Sequence, residues 1–191
     1  MTVIEAMINM DKVFQEVDNL PDGWIVLVET SAEKALEVSL SMIKYLINEK
    51  DYSGVIVSAS RPYKSSVDLY EHRGINIDKI LFIDCISKSH GAESDETGNV
   101  LYLEAASDLT NISLAITESI QQIQGDKFVF IDSINSMLIH NKPEVFVRFI
   151  HGVLTKLRIS EVSCLFVSLE NETDREIRAE IAQLCDKILK I

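Results

Sequence analysis

The sequence predicts an α/β fold, a three-layer α/β/α sandwich around a mostly parallel sheet. Short, continuous apolar runs such as Trp24-Ile-Val-Leu-Val28 and Phe128-Val-Phe-Ile131 mark strands covered on both faces. Segments with helical apolar spacing separate these runs. That alternation implies right-handed crossovers between parallel neighbours. At 191 residues, with only three prolines and seven glycines to build linkers, the chain is expected to form one domain over 1–191.

The first element is a short helix over 10–17, inside an N-terminal helical segment, 1–19. Leu20-Pro21-Asp22-Gly23 makes a turn, and 24–28 is the first strand. A helix over 32–48 follows, with Leu36, Leu40, Ile43 and Ile47 along one face. The second strand spans 54–57. Pro62 then opens a helix where a missing N–H costs nothing, and Gly74 stops it. A third strand over 80–83 leads into 87–99. That stretch is polar, with Glu93, Asp95 and Glu96, and is expected to be an exposed, mobile loop before a short strand over 100–103.

A helix over 109–122 ends towards Gly125, and 128–131 is the most apolar strand, closed by Asp132. Pro143 opens a helix reaching 157. Its Val145, Phe146, Phe149, Ile150, Val153, Leu154 and Leu157 form one buried stripe. A strand over 164–168 follows. Thr173 and Glu176 form a capping box for a last helix, and 188–191 is the final strand.

Composition excludes several function classes. The net charge of −12 repels the nucleic-acid backbone and anionic lipid, so neither is an expected partner. No run approaches the roughly 20 apolar residues of a membrane span, and 1–10 lack the basic start of a signal peptide. Cys85, Cys164 and Cys185 lie in apolar stretches without C-x-x-C spacing, which reads as reduced core thiols in a cytoplasmic protein. His72, His90, His140 and His151 show no zinc-ligand spacing, and no G-x-S-x-G elbow occurs.

Ligands of parallel sheets bind beyond the carboxyl ends of the strands. Here those ends are 29–34, 58–61, Asp84, and Asp132-Ser133. The strand Phe128-Val-Phe-Ile-Asp132-Ser133, followed by Ile134-Asn-Ser-Met-Leu138, resembles the Walker B segment of the RecA/KaiC ATPase family. In order around it, Asp22-Gly-Trp-Ile-Val-Leu-Val28 resembles the strand before the phosphate loop, and Gly54-Val-Ile-Val57 the second strand. Residues 70–83 resemble the family's approach to the third strand, and Leu184-Cys-Asp-Lys-Ile188 its closing edge. The resemblance runs from Asp11 onward and is nearest to archaeal KaiC-like proteins with eroded ATPase motifs.

The resemblance implies a RecA-like sheet with a nucleotide site, and the chemistry of that site is thinly represented. A phosphate loop, G-x-x-x-x-G-K-[ST], uses glycines to bring backbone N–H groups onto phosphates, a lysine on the β/γ-phosphates and a hydroxyl on Mg²⁺. Aligned on Lys34, the glycine positions hold Val28 and Glu33, and the hydroxyl position holds Ala35. Thr30-Ser-Ala-Glu33 reads instead as a capping box for the helix, with Glu29 a second negative charge nearby. Lys34 either pairs with one of these glutamates or points to solvent. Where the family's catalytic carboxylates would follow the second strand stands Ser58-Ala-Ser-Arg61-Pro62, without an acid. Arg61 is either an anion contact or a solvated surface residue. The resemblance implies Mg²⁺ coordination for Asp132, and capping of the next helix by Asp132 or Ser133 is the other reading.

The leading expectation is a pseudo-ATPase: a RecA/KaiC-like domain without hydrolysis or catalytic residues, acting in regulation or signalling through protein partners or self-association, with no cofactor. The alternative is an unconventional binder of ATP with Mg²⁺, or a weak ATPase, using a reduced site of Thr30, Ser31, Lys34, Asp132 and Ser133. A small-molecule enzyme on a doubly wound sheet is a third class, for which the sequence supplies no nucleophile–base set.

Overall fold

A computed structural model describes residues 10–91, 99–169 and 175–191. In chain order its elements begin with α1 (Met10–Asp18), β1 (Ile25–Thr30), α2 (Ala32–Lys44), β2 (Ser53–Ser58), α3 (Tyr63–His72), β3 (Ile80–Asp84) and β4 (Val100–Tyr102). There follow α4 (Leu109–Gln122), β5 (Lys127–Asp132), α5 (Ile134–His140), α6 (Pro143–Ile159), β6 (Ser163–Leu169), α7 (Arg175–Ala182) and β7 (Lys187–Lys190). The strands form one sheet in the order β4-β3-β2-β5-β6-β1-β7, and every pairing is parallel. The expected α/β/α sandwich is therefore observed, with β6 inserted between β1 and β5.

Side chains alternate along each strand, so each apolar run feeds two cores. Ile25, Leu27, Val129, Ile131 and Phe166 pack under α4, α6 and α7. Val26, Val28, Phe128, Phe130 and Val167 pack under α1, α2 and α3. The central strands are closely packed. A Cβ at Gly54 would stand 2.9 Å from the Phe128 ring, so β2 carries glycine where that ring crosses it.

The ends are tied down by polar contacts. Asp186 accepts from Ile25 N–H at 2.8 Å and pairs with Arg158 at 3.0 Å, joining the start of β7 to β1 and α6. Phe14 stacks on Tyr45 with ring centroids 4.0 Å apart, and the Tyr45 hydroxyl donates to Asp18 at 2.6 Å, docking α1 on α2. Burial and the Asp18 carboxylate push the Tyr45 phenol up to about 12.

Several local expectations change. Helix α2 closes in a π-helical turn over Tyr45–Glu49. Its buried face is Val38, Leu40, Met42 and Ile43, while Leu36 is exposed. On α6 the inward stripe is Phe146, Ile150, Val153, Leu154 and Leu157, with Phe149 half-buried and Val145 outside. Of the expected 87–99 loop, Lys88–His90 is a 3₁₀ turn ended by left-handed Gly91. Residues 92–98 lie outside the described residues, as does Thr173 of the expected capping box.

Candidate functional site

Across the carboxyl edge of the sheet, the strand ends that face α2 and α3 are polar. Strand alternation and register place Asp84, Ser58, Asp132 and Thr30 on that face, at the ends of β3, β2, β5 and β1. Each has a different local task.

Asp84 is buried and fully engaged. Its Oδ1 accepts from the N–H groups of Ile86 and Ser87 at 2.8 and 2.9 Å. Its Oδ2 accepts from Tyr63 N–H at 2.7 Å and from the Ser87 hydroxyl at 2.5 Å. This carboxylate satisfies the first turn of α3 and the turn after β3 together, so its role is structural.

Asp132 lines a pocket of about 200 Å³ between α2 and α3, together with Leu36, Ser60, Arg61, Tyr70 and Ser133. The Ser60 hydroxyl donates to Asp132 Oδ2 at 2.8 Å. Burial pushes the Asp132 carboxyl up, opposed by that hydrogen bond and by the Arg61 guanidinium. Tyr70 closes the wall, and its phenol is pushed up by burial and by Asp132. The pocket thus offers one carboxylate, one guanidinium and several hydroxyls against apolar walls. Ser133 caps α5, its Oγ accepting from Ser136 N–H at 3.3 Å. The peptide bond joining Asp132 to Ser133 is cis. Asn135 Oδ1 accepts from Leu169 N–H at 3.3 Å and pins the end of β6 beside the pocket.

The residues around Lys34 are arranged differently from the capping reading. Thr30 is the last residue of β1, paired with Leu169, and Ser31 takes the N-cap position of α2 without a side-chain capping bond. The capping box is not made because Thr30 is held in the sheet. Its Oγ1 is buried without a hydrogen-bond partner among the described residues. Lys34 is half-buried and has no ion-pair partner among the described residues. Glu29 is also corrected: it faces the other side of the sheet, 3.5 Å from Arg178 and 3.4 Å from Lys190. Of the five proposed nucleotide-site residues, Asp132 and Ser133 line the pocket, whereas Thr30, Ser31 and Lys34 do not.

Sequence reasoning placed Ser60 within the carboxyl-end stretch 58–61 but did not join it to Asp132, and it gave Tyr70 no part in this pocket. The signal for Ser60 is topological: β2 and β5 are neighbours with Ser58 opposite Asp132, which brings the residues after Ser58 onto that carboxylate.

The fold defines the class. The chain is similar in structure to a KaiC-like protein, PH0186, from the hyperthermophilic archaeon Pyrococcus horikoshii OT3. The TM-score is 0.63 at 14% identity, covering 90% of this chain and 73% of that one. It is also similar to the uncharacterized protein PH0321 from Pyrococcus horikoshii, crystallised in complex with an unknown peptide. There the TM-score is 0.74 at 14% identity, covering 94% of this chain and 82% of that one. The fold is RecA/KaiC-like. The chain belongs to the Family of unknown function (DUF7504), matched over residues 26–191. No curated protein sequence matches it. Among the described residues, no helix is long and apolar enough to cross a membrane.

Proposed function

We propose that the chain is a non-hydrolysing RecA/KaiC-like domain that acts in regulation through protein–protein contacts, in the cytoplasm and without a resident cofactor. The observation that carries this reading is the junction of β1 and α2: strand residue Thr30, one linking residue Ser31, then helix residue Ala32. A phosphate cradle needs a loop of several residues with inward-turned N–H groups and glycines at the close approaches. At this junction Val28 is a paired strand residue, Glu33 brings a carboxylate to the first helical turn, and Ala35 has no hydroxyl for Mg²⁺. These residues do not fit a bound nucleoside triphosphate. The segment after β2 adds no acid to activate water, and Asp132 is bonded to Ser60. The peptide seen with PH0321 favours a polypeptide as the partner.

The test is thermal unfolding with and without Mg-ATP, followed by a hydrolysis assay. Ligand at 100 times its dissociation constant adds about 2.7 kcal/mol, a rise of roughly 5–10 °C for a chain of this size. Unchanged unfolding and no phosphate release support the proposal. A rise abolished by Lys34→Ala, or Mg-dependent hydrolysis, overturns it in favour of the reduced nucleotide site.

A further inference from the structure

Helix α6 carries a second stripe besides the one it buries. Val145, Phe149, Gly152, Lys156 and Ile159 recur at helical spacing on its outer side, and Val145 and Ile159 are 41% and 79% exposed. Leu114 on the neighbouring α4 is 50% exposed. Between the two helices run two hollows of about 440 and 160 Å³, which share Ser113 and Lys156 and so form one groove.

The groove has a definite charge. Its charged lining residues are Arg148 and Lys156, both basic, in a chain of net charge −12. Lys156 Nζ reaches across the groove to donate to Ser113 Oγ at 3.2 Å, which leaves its other ammonium protons for a further acceptor. Arg148 pairs with no carboxylate among the described residues. Arg148 also lines the hollow between α6 and α7, beside Glu144, Glu176 and Glu180, none of which lines the groove.

Gly152 adds an independent sign. A glycine inside a helix costs about 0.5–1 kcal/mol relative to alanine. A Cβ at Gly152 would meet nothing within 4 Å, so no contact among the described residues calls for glycine there. The bare backbone gives space for another chain to approach closely.

We propose that the α4–α6 groove docks an acidic amphipathic α-helix of a partner protein. The partner's apolar stripe lies against Leu114, Val145 and Phe149, its carboxylates meet Arg148 and Lys156, and Gly152 sits at the closest approach. This helix-in-groove mode rests on the reading that the chain works through protein contacts. Charge decides against a second copy seated symmetrically on the same groove, because two-fold pairing would set the Arg148 and Lys156 of both copies face to face.

The experiment displays a library of peptides about 15 residues long, a length that supports a helix, against the full chain. The enriched sequences are expected to carry apolar residues at i, i+3, i+4 and i+7 flanked by Asp or Glu. Binding of the best synthetic peptide should weaken at least ~10-fold in the double variant Arg148→Glu/Lys156→Glu, and weaken with added salt. Gly152→Gln should weaken it as much while leaving the melting temperature equal or higher, which separates a blocked groove from an unfolded protein. Enrichment of basic peptides, absence of enrichment, or a dimer in sedimentation that Gly152→Gln dissociates overturns the proposal. Peptide binding indifferent to all these variants removes the groove but leaves the protein-contact reading standing. Hydrolysis of ATP removes that reading whatever the groove binds.

Discussion

Thr30→Val should make the protein more stable. The Thr30 hydroxyl is fully buried at the end of β1 and has no hydrogen-bond partner among the described residues. Burying an unpaired hydroxyl costs about 1–3 kcal/mol in proteins. Valine has the same branched shape, so the exchange removes the polar atom without opening a cavity and suits the extended backbone. A gain of about 1–2 kcal/mol is expected. At roughly 2–4 °C per kcal/mol for this size, the melting temperature should rise by about 2–8 °C. Urea unfolding should show a higher midpoint at an unchanged slope, the mark of altered stability rather than an altered unfolded state. Thr30→Ser is the counterpart: it keeps the hydroxyl, deletes the methyl group and should cost about 1 kcal/mol. If Thr30→Val lowers the urea midpoint, the hydroxyl is doing stabilising work and the reasoning fails. A nucleotide-dependent rise in the wild type that Thr30→Val removes would place that work in ligand binding.

Other expectations follow from the same edge of the sheet. Asp84→Asn should cost about 2–4 kcal/mol by urea unfolding, because an amide cannot accept all four hydrogen bonds and presents N–H to donors; a change near zero would refute the structural role. Asp132→Asn should stabilise at neutral pH. Burial raises the folded-state pKa of Asp132 above the ordinary 3.8, so the wild type loses stability as pH rises from 3.8 through the raised value. The gain from Asn should shrink to nothing below pH 3.8, and a gain independent of pH would contradict this cause. The thiols should be inert: burial, with Asp84 and Asp186 adding, pushes Cys85 and Cys185 up to about 12, and burial pushes Cys164 well up. Ellman's reagent at neutral pH should therefore label the buried Cys85 and Cys164 only after denaturation and the half-buried Cys185 slowly, and rapid labelling of more than one thiol in the native protein would refute this.

The order and type of elements were legible because burial on both faces writes itself into runs such as Phe128–Ile131, and helices write theirs in spacing. The boundaries that moved did so where tertiary contacts overrode local signals. Thr30 looks like half of a capping box in isolation, but pairing with Leu169 carries it into β1 and leaves Ser31 at the cap. Leu36 sits at helical spacing with Leu40, yet it lies at the rim of the pocket rather than under the sheet. The contact of Ser60 with Asp132 and the pairing of Glu29 with Arg178 and Lys190 were not legible, since they depend on strand order and join residues far apart in the chain. Asp132 itself was legible, because an acid ending the most apolar strand must lie at the carboxyl edge.

The placement of β1 bears on how the protein is made. Its two neighbours in the sheet are β6 and β7, and its first backbone bond to a side chain joins residues 161 positions apart. On a ribosome, the Ile-Val-Leu-Val strand emerges early and waits for partners on the order of ten seconds. During that wait an apolar strand has both edges open, the kind of segment that chaperones hold and that pairs with the wrong chain. A circular permutant beginning at β2, with α1, β1 and α2 joined behind β7, would make β1 after its neighbours. Such a chain should refold faster and aggregate less than the natural order, with the same sheet at the end.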